Sequence, residues 1–341
     1  MRSARAHTRF RLRLTPAGAT ATLRTLALGA IAALALAIAT AALAEPTTGL
    51  GMLTWSFTTG GPVRSTPVLW NDLLIAASTD GNVYGLDRET GAQVWRYDAG
   101  APIASTPAVG ARHIFVIDRT NTVHAVRADN GSASWLRETG PDMPLPWGLE
   151  GWDYVVAGPR LADGTLFISS GDGGVYALDP TDGSVRWHVQ TGGRVRATPT
   201  VHDGTVYVGS GDGVFHALDA TDGSSRWTFT TLGADVDAAS VGFDRKQIYS
   251  GAAVHNGMVY FGSRDAQLYA LDAETGQEAW RSDDGTFGWV IAAPRLHGEQ
   301  LLVTRSSSTR VRALNPGTGE ELWSQLTGNL VFASTVTIGE E

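Results

Sequence analysis

The chain has 341 residues, a formal net charge of −8 and no cysteine. The missing cysteine excludes a disulfide framework, a thiolate zinc site, a thiol nucleophile and the acylated cysteine that anchors bacterial lipoproteins. Lys246 is the only lysine. It is therefore the one candidate for Schiff-base chemistry, and we expect it in a solvated loop.

The first 44 residues have the composition of a secretory signal peptide. Six arginines and no acidic residue accompany an almost purely apolar run at 26–43, which ends in Ala42-Leu43-Ala44. A basic start, an apolar centre and a small-x-small end predict export and cleavage after Ala44. The alternative is an uncleaved anchor, because the apolar run approaches the ~20 residues that span a bilayer. No pair of adjacent arginines supports a twin-arginine signal.

Cleavage would leave residues 45–341 with 20 basic and 34 acidic side chains, a net charge of −14. Such a surface repels nucleic acids and anionic lipid headgroups. We therefore expect neither nucleic-acid binding nor membrane insertion of the mature chain, which should be periplasmic or secreted.

Seven of the 11 tryptophans recur at intervals of 40, 40, 52, 40, 53 and 43 residues. They are Trp55, Trp95, Trp135, Trp187, Trp227, Trp280 and Trp323. Glycines stand four residues before the later members: Gly91, Gly131, Gly183, Gly223, Gly276 and Gly319. A period of about 40 residues predicts a repeat architecture with one supersecondary unit per period.

The unit at 194–230 contains no insertion and shows how each repeat folds. Alternating apolar residues separated by Asp-Gly turns predict strands at 195–201, 205–209, 214–218 and 225–230. Four antiparallel strands per repeat indicate a β-propeller blade, so the predicted fold class is all-β. Each repeated tryptophan falls in the outermost strand, where its ring is expected to pack between neighbouring blades.

These units have the form Val-Tyr-Ala-Leu-Asp-x-x-Thr/Asp-Gly-x-x-x-Trp, as at 175–187. They resemble the pyrroloquinoline-quinone-type propeller repeat of quinoprotein dehydrogenases and of the outer-membrane protein assembly factor BamB. The resemblance covers residues 51–341 and implies a propeller domain over 45–341. The resemblance says little about function, because one fold can carry many different activities.

The sequence does not contain four strands for the blade that would close the ring. Six units carry four strands, while residues 51–58 supply one extra outer strand and residues 330–338 one extra inner strand. The resemblance implies that these end segments share a closing blade in a ring of seven or eight. That blade would lack its middle pair, so either it is malformed or the chain is part of a longer ring. We favour the second reading, because an inner strand alone leaves ladder groups unpaired.

Two long connections, 139–153 and 232–249, interrupt the regular spacing and are the predicted binding face. Trp147, Trp152 and Tyr154 are candidate anchors for a protein partner; alternatively they form the small hydrophobic cluster of a compact loop. Arg64 and Arg196 fall at equivalent positions near the channel mouth and could bind an anion or a partner carboxylate. A salt bridge to an aspartate of a neighbouring turn is the reading that we favour.

No catalytic or metal-binding pattern stands out from the repeat. The histidines are scattered over different blades, and His124 and His216 stand where other repeats have tyrosine. We therefore expect a monomeric, non-catalytic propeller without cofactor that binds a protein of the cell envelope, with the BamB-like role that the resemblance implies.

The alternative is a quinoprotein dehydrogenase-like or small-ligand-binding propeller using pyrroloquinoline quinone and Ca²⁺. Those dehydrogenases are much longer, and many carry adjacent cysteines that this chain lacks. A cell-surface or sensory propeller is a third class.

Overall fold

The computed structural model describes residues 53–144, 157–237, 244–282, 288–306 and 309–327. Over these ranges the chain forms six four-stranded antiparallel sheets, one 3-10 turn at Leu232–Asp235 and no α-helix. Within each sheet the strands lie in chain order, as in the blades of a β-propeller. The predicted signal peptide at 1–44 and the extra strand at 330–338 lie outside the described residues.

Each blade consists of an inner strand, two middle strands and an outer strand. Blades 1 to 3 contain β1 (Val68–Trp70), β2 (Leu73–Ala77), β3 (Asn82–Asp87), β4 (Gln93–Asp98); β5 (Ala108–Val109), β6 (His113–Ile117), β7 (Thr122–Arg127), β8 (Ala133–Glu138); and β9 (Arg160–Ala162), β10 (Thr165–Ser169), β11 (Gly174–Leu178), β12 (Val185–Gln190). Blades 4 to 6 contain β13 (Thr200–His202), β14 (Thr205–Gly209), β15 (Val214–Asp219), β16 (Ser225–Thr230); β17 (Ala253–His255), β18 (Met258–Gly262), β19 (Leu268–Asp272), β20 (Glu278–Ser282); and β21 (Arg295–His297), β22 (Gln300–Thr304), β23 (Arg310–Leu314), β24 (Glu321–Leu326). None of the described helical segments has the length and apolar character needed to cross a bilayer.

The inner strands are shorter than the sequence predicts. The predicted strand at 195–201 is reduced to Thr200–His202 in the structure. The N–H of Val195 donates instead to the carbonyl of Ser170 in blade 3, at 3.0 Å, and Pro199 has no N–H to donate. The residues before the proline therefore join two blades, and the ladder of blade 4 begins after it.

Outer-strand tryptophans pack against the following blade. The indole Nε1–H of Trp95 donates to the Ala128 carbonyl at 3.0 Å, and a Cβ built on Gly131 would lie 2.7 Å from the Trp95 ring. Gly131 also has φ of 73°, a conformation that side chains other than glycine rarely adopt. The same contacts recur for Trp55, Trp135, Trp187, Trp227 and Trp280, over Gly91, Gly183, Gly223, Gly276 and Gly319. Five repeated indoles thus lie between two blades, and Trp55 packs on blade 1 in the same way.

Trp323 has a different environment from the other six. Its side chain is 41% exposed, and its Nε1–H donates to Oε1 of Gln300 in the same blade, at 3.0 Å. Val311 in β23 is half-buried, whereas its counterparts in blades 1 to 5 are fully buried: Val83, Val123, Val175, Phe215 and Leu268. The described residues contain no blade after β24 that would cover this face of blade 6.

The hydrophobic core is a series of layers between blades rather than one central cluster. In the first layer, Ile75 and Trp95 of blade 1 pack with Ile114 and Val116 of blade 2. The layer between blades 4 and 5 stacks Phe215 on Phe261, with ring centroids 3.8 Å apart. Each blade is therefore stabilised mainly by its neighbours, as in other repeat proteins.

Candidate functional site

Connections between blades and turns between middle strands lie on the same face, which we name the connection face. A glycine N–H in a connection donates to the turn aspartate of the blade that the connection enters. This contact joins Gly60 to Asp80 (2.7 Å), Gly140 to Asp172 (2.6 Å), Gly192 to Asp212 (2.9 Å) and Gly233 to Asp265 (3.1 Å). The described starts of the two long connections, 139–144 and 232–237, thus lie beside these turns.

Three of these aspartates also accept a tyrosine hydroxyl from the third strand. Tyr84 donates to Asp80 at 2.7 Å, and Tyr176 and Tyr269 make the same bond to Asp172 and Asp265. Burial, together with the bond to Asp80, raises the pKa of Tyr84 to about 12. These tyrosines are therefore neutral donors that brace the turns of the connection face.

The two histidines that replace tyrosine behave differently. In blade 2, Nε2 of His124 lies 3.0 Å from Asp118, and its Nδ1 lies 2.9 Å from the Tyr97 hydroxyl of blade 1. In blade 4, Nε2 of His216 is buried and has no hydrogen-bond partner among the described residues. Burial lowers the pKa of His216, so this ring is neutral near pH 7.

Asp142, in the first long connection, is bound by side chains from two other parts of the chain. Its Oδ1 accepts from Nδ2 of Asn121 in the β6–β7 turn, at 2.7 Å. Its Oδ2 lies 2.7 Å from Arg196 and 3.1 Å from Arg194, both in the connection that enters blade 4. The side chains of Arg196 and Arg194 are only 6% and 13% exposed. One carboxylate therefore joins the connection into blade 3 to blades 2 and 4.

Backbone contacts reinforce the position of Asp142. The N–H of Met143 donates to the Gly171 carbonyl at 2.8 Å, and Nε of Arg194 donates to the Met143 carbonyl. A Cβ on Gly171 would lie 1.8 Å from Oδ1 of Asp142 and 2.6 Å from Arg196. A side chain at position 171 would therefore have to displace the Asp142–Arg196 ion pair.

Arg196 forms an ion pair with Asp142 of the first long connection, whereas the sequence favours an aspartate of a neighbouring turn as its partner. The turn of blade 3 contributes Gly171 instead, which leaves room for the pair. Arg64, at the equivalent position before blade 1, is exposed. Trp147, Trp152 and Tyr154 lie outside the described residues.

A cleft of about 230 Å³ opens on the connection face beside Asp142. Its walls include a thioether, two basic side chains, a carboxylate and glycine backbone, contributed by Met143, Arg194, Lys246, Asp212, Gly193 and Gly211. Oδ2 and Oδ1 of Asp212 accept the N–H groups of Gly192 and Val214. Apolar and charged groups thus both line the cleft.

Further residues near the channel mouth were not found by sequence reasoning. Tyr249 occupies the position equivalent to Arg196. The residues before them, Ile248 and Val195, make equivalent backbone N–H hydrogen bonds to the preceding blade. Tyr249 lies 5.7 Å from the guanidinium carbon of Arg264, and the Trp289 ring lies 4.1 Å from it. Arg264 is only 4% exposed. The inner segment of blade 5 lacks the Ser-Thr-Pro sequence, which obscured this alignment.

Ligand sets for a metal ion do not occur among the described side chains: no three His, Asp or Glu residues converge. The connection face presents basic side chains, backbone groups and hydrogen-bonded carboxylates.

A family model described as outer membrane protein assembly factor BamB matches residues 40–148, 146–249 and 238–338. Among solved structures, BamB from Moraxella catarrhalis superposes with a TM-score of 0.70 at 19% identity, covering 83% of this chain and 82% of that one. A quinohemoprotein alcohol dehydrogenase from Pseudomonas putida gives a TM-score of 0.62 at 16% identity, covering 83% and 63%. At these identities the likeness shows the fold alone.

Two curated relatives match a short stretch of the chain. The quinone-dependent 1-butanol dehydrogenase of Thauera butanivorans is 36% identical over 89 residues, and the quinoprotein ethanol dehydrogenase of Pseudomonas aeruginosa is 34% identical over 87 residues. These alignments cover 22% and 21% of this chain and 14% of each relative. The chain thus spans about one seventh of the length of the curated relatives that it matches.

Proposed function

Because the chain belongs to the family of the outer membrane protein assembly factor BamB, we propose that it is a non-catalytic, exported propeller that binds a protein partner in the bacterial cell envelope. The partner-binding surface is the connection face between blades 2 and 5. The family match over nearly the whole chain is the observation that carries this proposal. Export rests on the signal peptide predicted at 1–44.

The Asp142 network supports this choice of surface. It holds the described start of the first long connection, residues 139–144, in one position. The candidate anchors Trp147, Trp152 and Tyr154 follow this segment in the sequence. Rigid presentation lowers the entropy cost of binding. The cleft beside it places Lys246 on a surface whose predicted net charge is strongly negative, while Arg194 in the same wall already pairs with Asp142. A local basic site on an acidic protein favours a partner that presents a carboxylate there.

Affinity capture from envelope extracts tests the proposal. The mature protein should recover a component of outer-membrane assembly, and Lys246→Glu should weaken that capture at least about tenfold, because it reverses a charge in the cleft. Arg112→Glu, in the exposed β5–β6 hairpin at the opposite end of the strands, is the matched control and should leave capture unchanged. Recovery of no assembly component, or equal loss in both variants, would refute the proposal.

The short matches to quinone-dependent alcohol dehydrogenases favour a second candidate, a propeller that binds pyrroloquinoline quinone. The described residues do not fit its usual Ca²⁺ requirement, since no three acidic or histidine side chains converge. Incubation with the quinone and Ca²⁺, followed by alcohol-dependent dye reduction, distinguishes the candidates. Turnover that survives Lys246→Glu would favour the oxidoreductase.

A further inference from the structure

Three arginines are buried among the described residues, and one of them has no acceptor. Arg196 is paired with Asp142, and Arg305 donates to two backbone carbonyls. Arg264 is only 4% exposed, yet its guanidinium makes no hydrogen bond or ion pair with any described residue. Burying a cation without a counter-charge is costly. Arg264 therefore has unused capacity to bind an anion, unlike the other two buried arginines.

Two aromatic rings pack against the Arg264 guanidinium between blades 5 and 6. The guanidinium carbon lies 4.1 Å from the ring of Trp289, in the connection into blade 6, and 5.7 Å from the ring of Tyr249, before β17. Cation–π contacts of this kind do not use the N–H groups as hydrogen-bond donors to an oxygen. Nε is buried without a partner, and since neither Nη atom belongs to the buried atoms that lack one, both reach the surface.

The turn that carries Arg264 is held in place by its neighbours. The N–H of Arg264 donates to the Gln247 carbonyl at 3.1 Å. The next residue, Asp265, accepts the N–H of Gly233 and the hydroxyl of Tyr269 on Oδ2, and a backbone N–H of the same turn on Oδ1. Both oxygens of the adjacent carboxylate are thus occupied by other donors. The guanidinium is presented by a fixed backbone, which lowers the entropy cost of binding.

We propose that Arg264, Trp289 and Tyr249 form a binding site for a carboxylate group. A carboxylate accepts two parallel N–H bonds from the edge of a guanidinium, while the aromatic rings keep the guanidinium plane oriented. One guanidinium supplies one positive charge, which matches a carboxylate better than a doubly charged phosphate. The carboxylate belongs either to a small free acid or to an acidic side chain of a protein partner, and both present the same group to Arg264.

Titration of the purified protein with sodium acetate tests the site directly. With 5-fluorotryptophan incorporated, the ¹⁹F resonance of Trp289 is assigned by its loss in Trp289→Phe. Acetate should shift this resonance to a saturating value, whereas sodium chloride at the same ionic strength should not, because chloride cannot accept the paired N–H bonds of a carboxylate. The Trp187 resonance should stay in place, because that ring lies over Gly223 between other blades.

Arg264→Gln should abolish the response of Trp289 to acetate. Arg119→Gln is the matched control and should retain it, because Arg119 holds the equivalent position in the turn of blade 2 and is exposed. Arg264→Lys covers the case in which the glutamine variant does not fold. It keeps a positive charge but loses the paired N–H donors, so acetate should bind about tenfold more weakly. A Trp289 resonance that responds equally to acetate and chloride, or a response that persists in Arg264→Gln, would overturn the proposal.

Capture from envelope extracts distinguishes the two sources of the carboxylate, and this arm alone rests on the proposed function. If a protein partner supplies the group, Arg264→Gln should weaken capture at least about tenfold, and saturating acetate should compete with the partner. If a small acid supplies it, Arg264→Gln and the unsubstituted protein should capture equally. The acetate titration uses purified protein, so its result stands even where no assembly component is recovered and the proposed function fails.

Discussion

Asp142 and Arg196 stand 54 residues apart in the chain, and their side chains meet at 2.7 Å. Arg194 contacts the same carboxylate at 3.1 Å. Both guanidinium groups are almost buried and therefore poorly hydrated. The negative charge of the Asp142 carboxylate compensates their positive charges.

Replacing Asp142 with asparagine should destabilise the protein by about 1–3 kcal/mol. Removing one partner of a fully buried pair costs more, about 3–5 kcal/mol, but Asp142 is 31% exposed and solvent screens part of the loss. Urea unfolding followed by far-UV circular dichroism measures the change. Asp129→Asn is the control, because the Arg127–Asp129 pair is about half exposed and solvent screens it, so its loss should have little effect on stability. Equal losses of unfolding free energy in the two variants would show that the Asp142 network does not contribute to stability.

A methyl group added beneath an indole ring should destabilise the protein more than a methyl group added where there is open space. Gly131 and Gly164 have φ of 73° and 70°, so alanine is strained by a similar amount at both. A Cβ at 131 would also lie 2.7 Å from the Trp95 ring, whereas at 164 nothing lies within 4 Å. Gly131→Ala should therefore destabilise the protein by about 1–3 kcal/mol more than Gly164→Ala. Thermal unfolding of the two variants in parallel checks this difference.

Tyrosine at position 216 should stabilise blade 4. The buried Nε2 of His216 lacks a described partner, while tyrosines at the equivalent positions donate to the turn aspartate. His216→Tyr should gain about 0.5–1.5 kcal/mol by donating to Asp212. The same change at His124 should be destabilising, because that ring already bonds to Asp118 and Tyr97. Urea midpoints that move the same way in both variants would contradict this explanation.

Asp219 provides a test of pH dependence. The hydrogen bond from Arg226, followed by one from the Thr221 N–H, lowers the pKa of Asp219 to about 2. Since folding lowers this pKa, its stabilising effect is present above pH ~4 and is lost as the pH falls towards 2. Arg226→Gln should raise the pKa towards the usual value, as measured by ¹³C NMR titration of carboxyl groups. Asp179, which Arg186 holds in the same way, should not change.

The repeat was predictable because its requirements are local. Turn glycines with positive φ, alternating apolar residues and one large outer-strand ring appear at fixed spacing in the sequence, and together they fix blade order and the contact between Trp95 and Gly131. The inner strands were predicted too long, because the bond from Val195 to Ser170 belongs to a neighbouring blade, and sequence alternation does not distinguish the two sheets.

The candidate site was less predictable because its contacts join residues that are far apart in the sequence. Asp142 meets Arg196 only because two connections from different blades converge, and neither lies in a periodic segment. Arg264 reads as an ordinary turn residue, since the equivalent Arg119 is exposed. Its burial depends on Tyr249 and Trp289, which enter from connections of unequal length. Contacts of this kind depend on three-dimensional closure rather than on spacing.

The cleft on the connection face contains Lys246, the sole lysine of the chain. Amine-directed reagents thus have only this side chain and the amino terminus to modify. A fluorophore or photoactivatable group coupled there would report on the proposed partner surface without any engineered residue, and a bound partner should protect Lys246 from acylation.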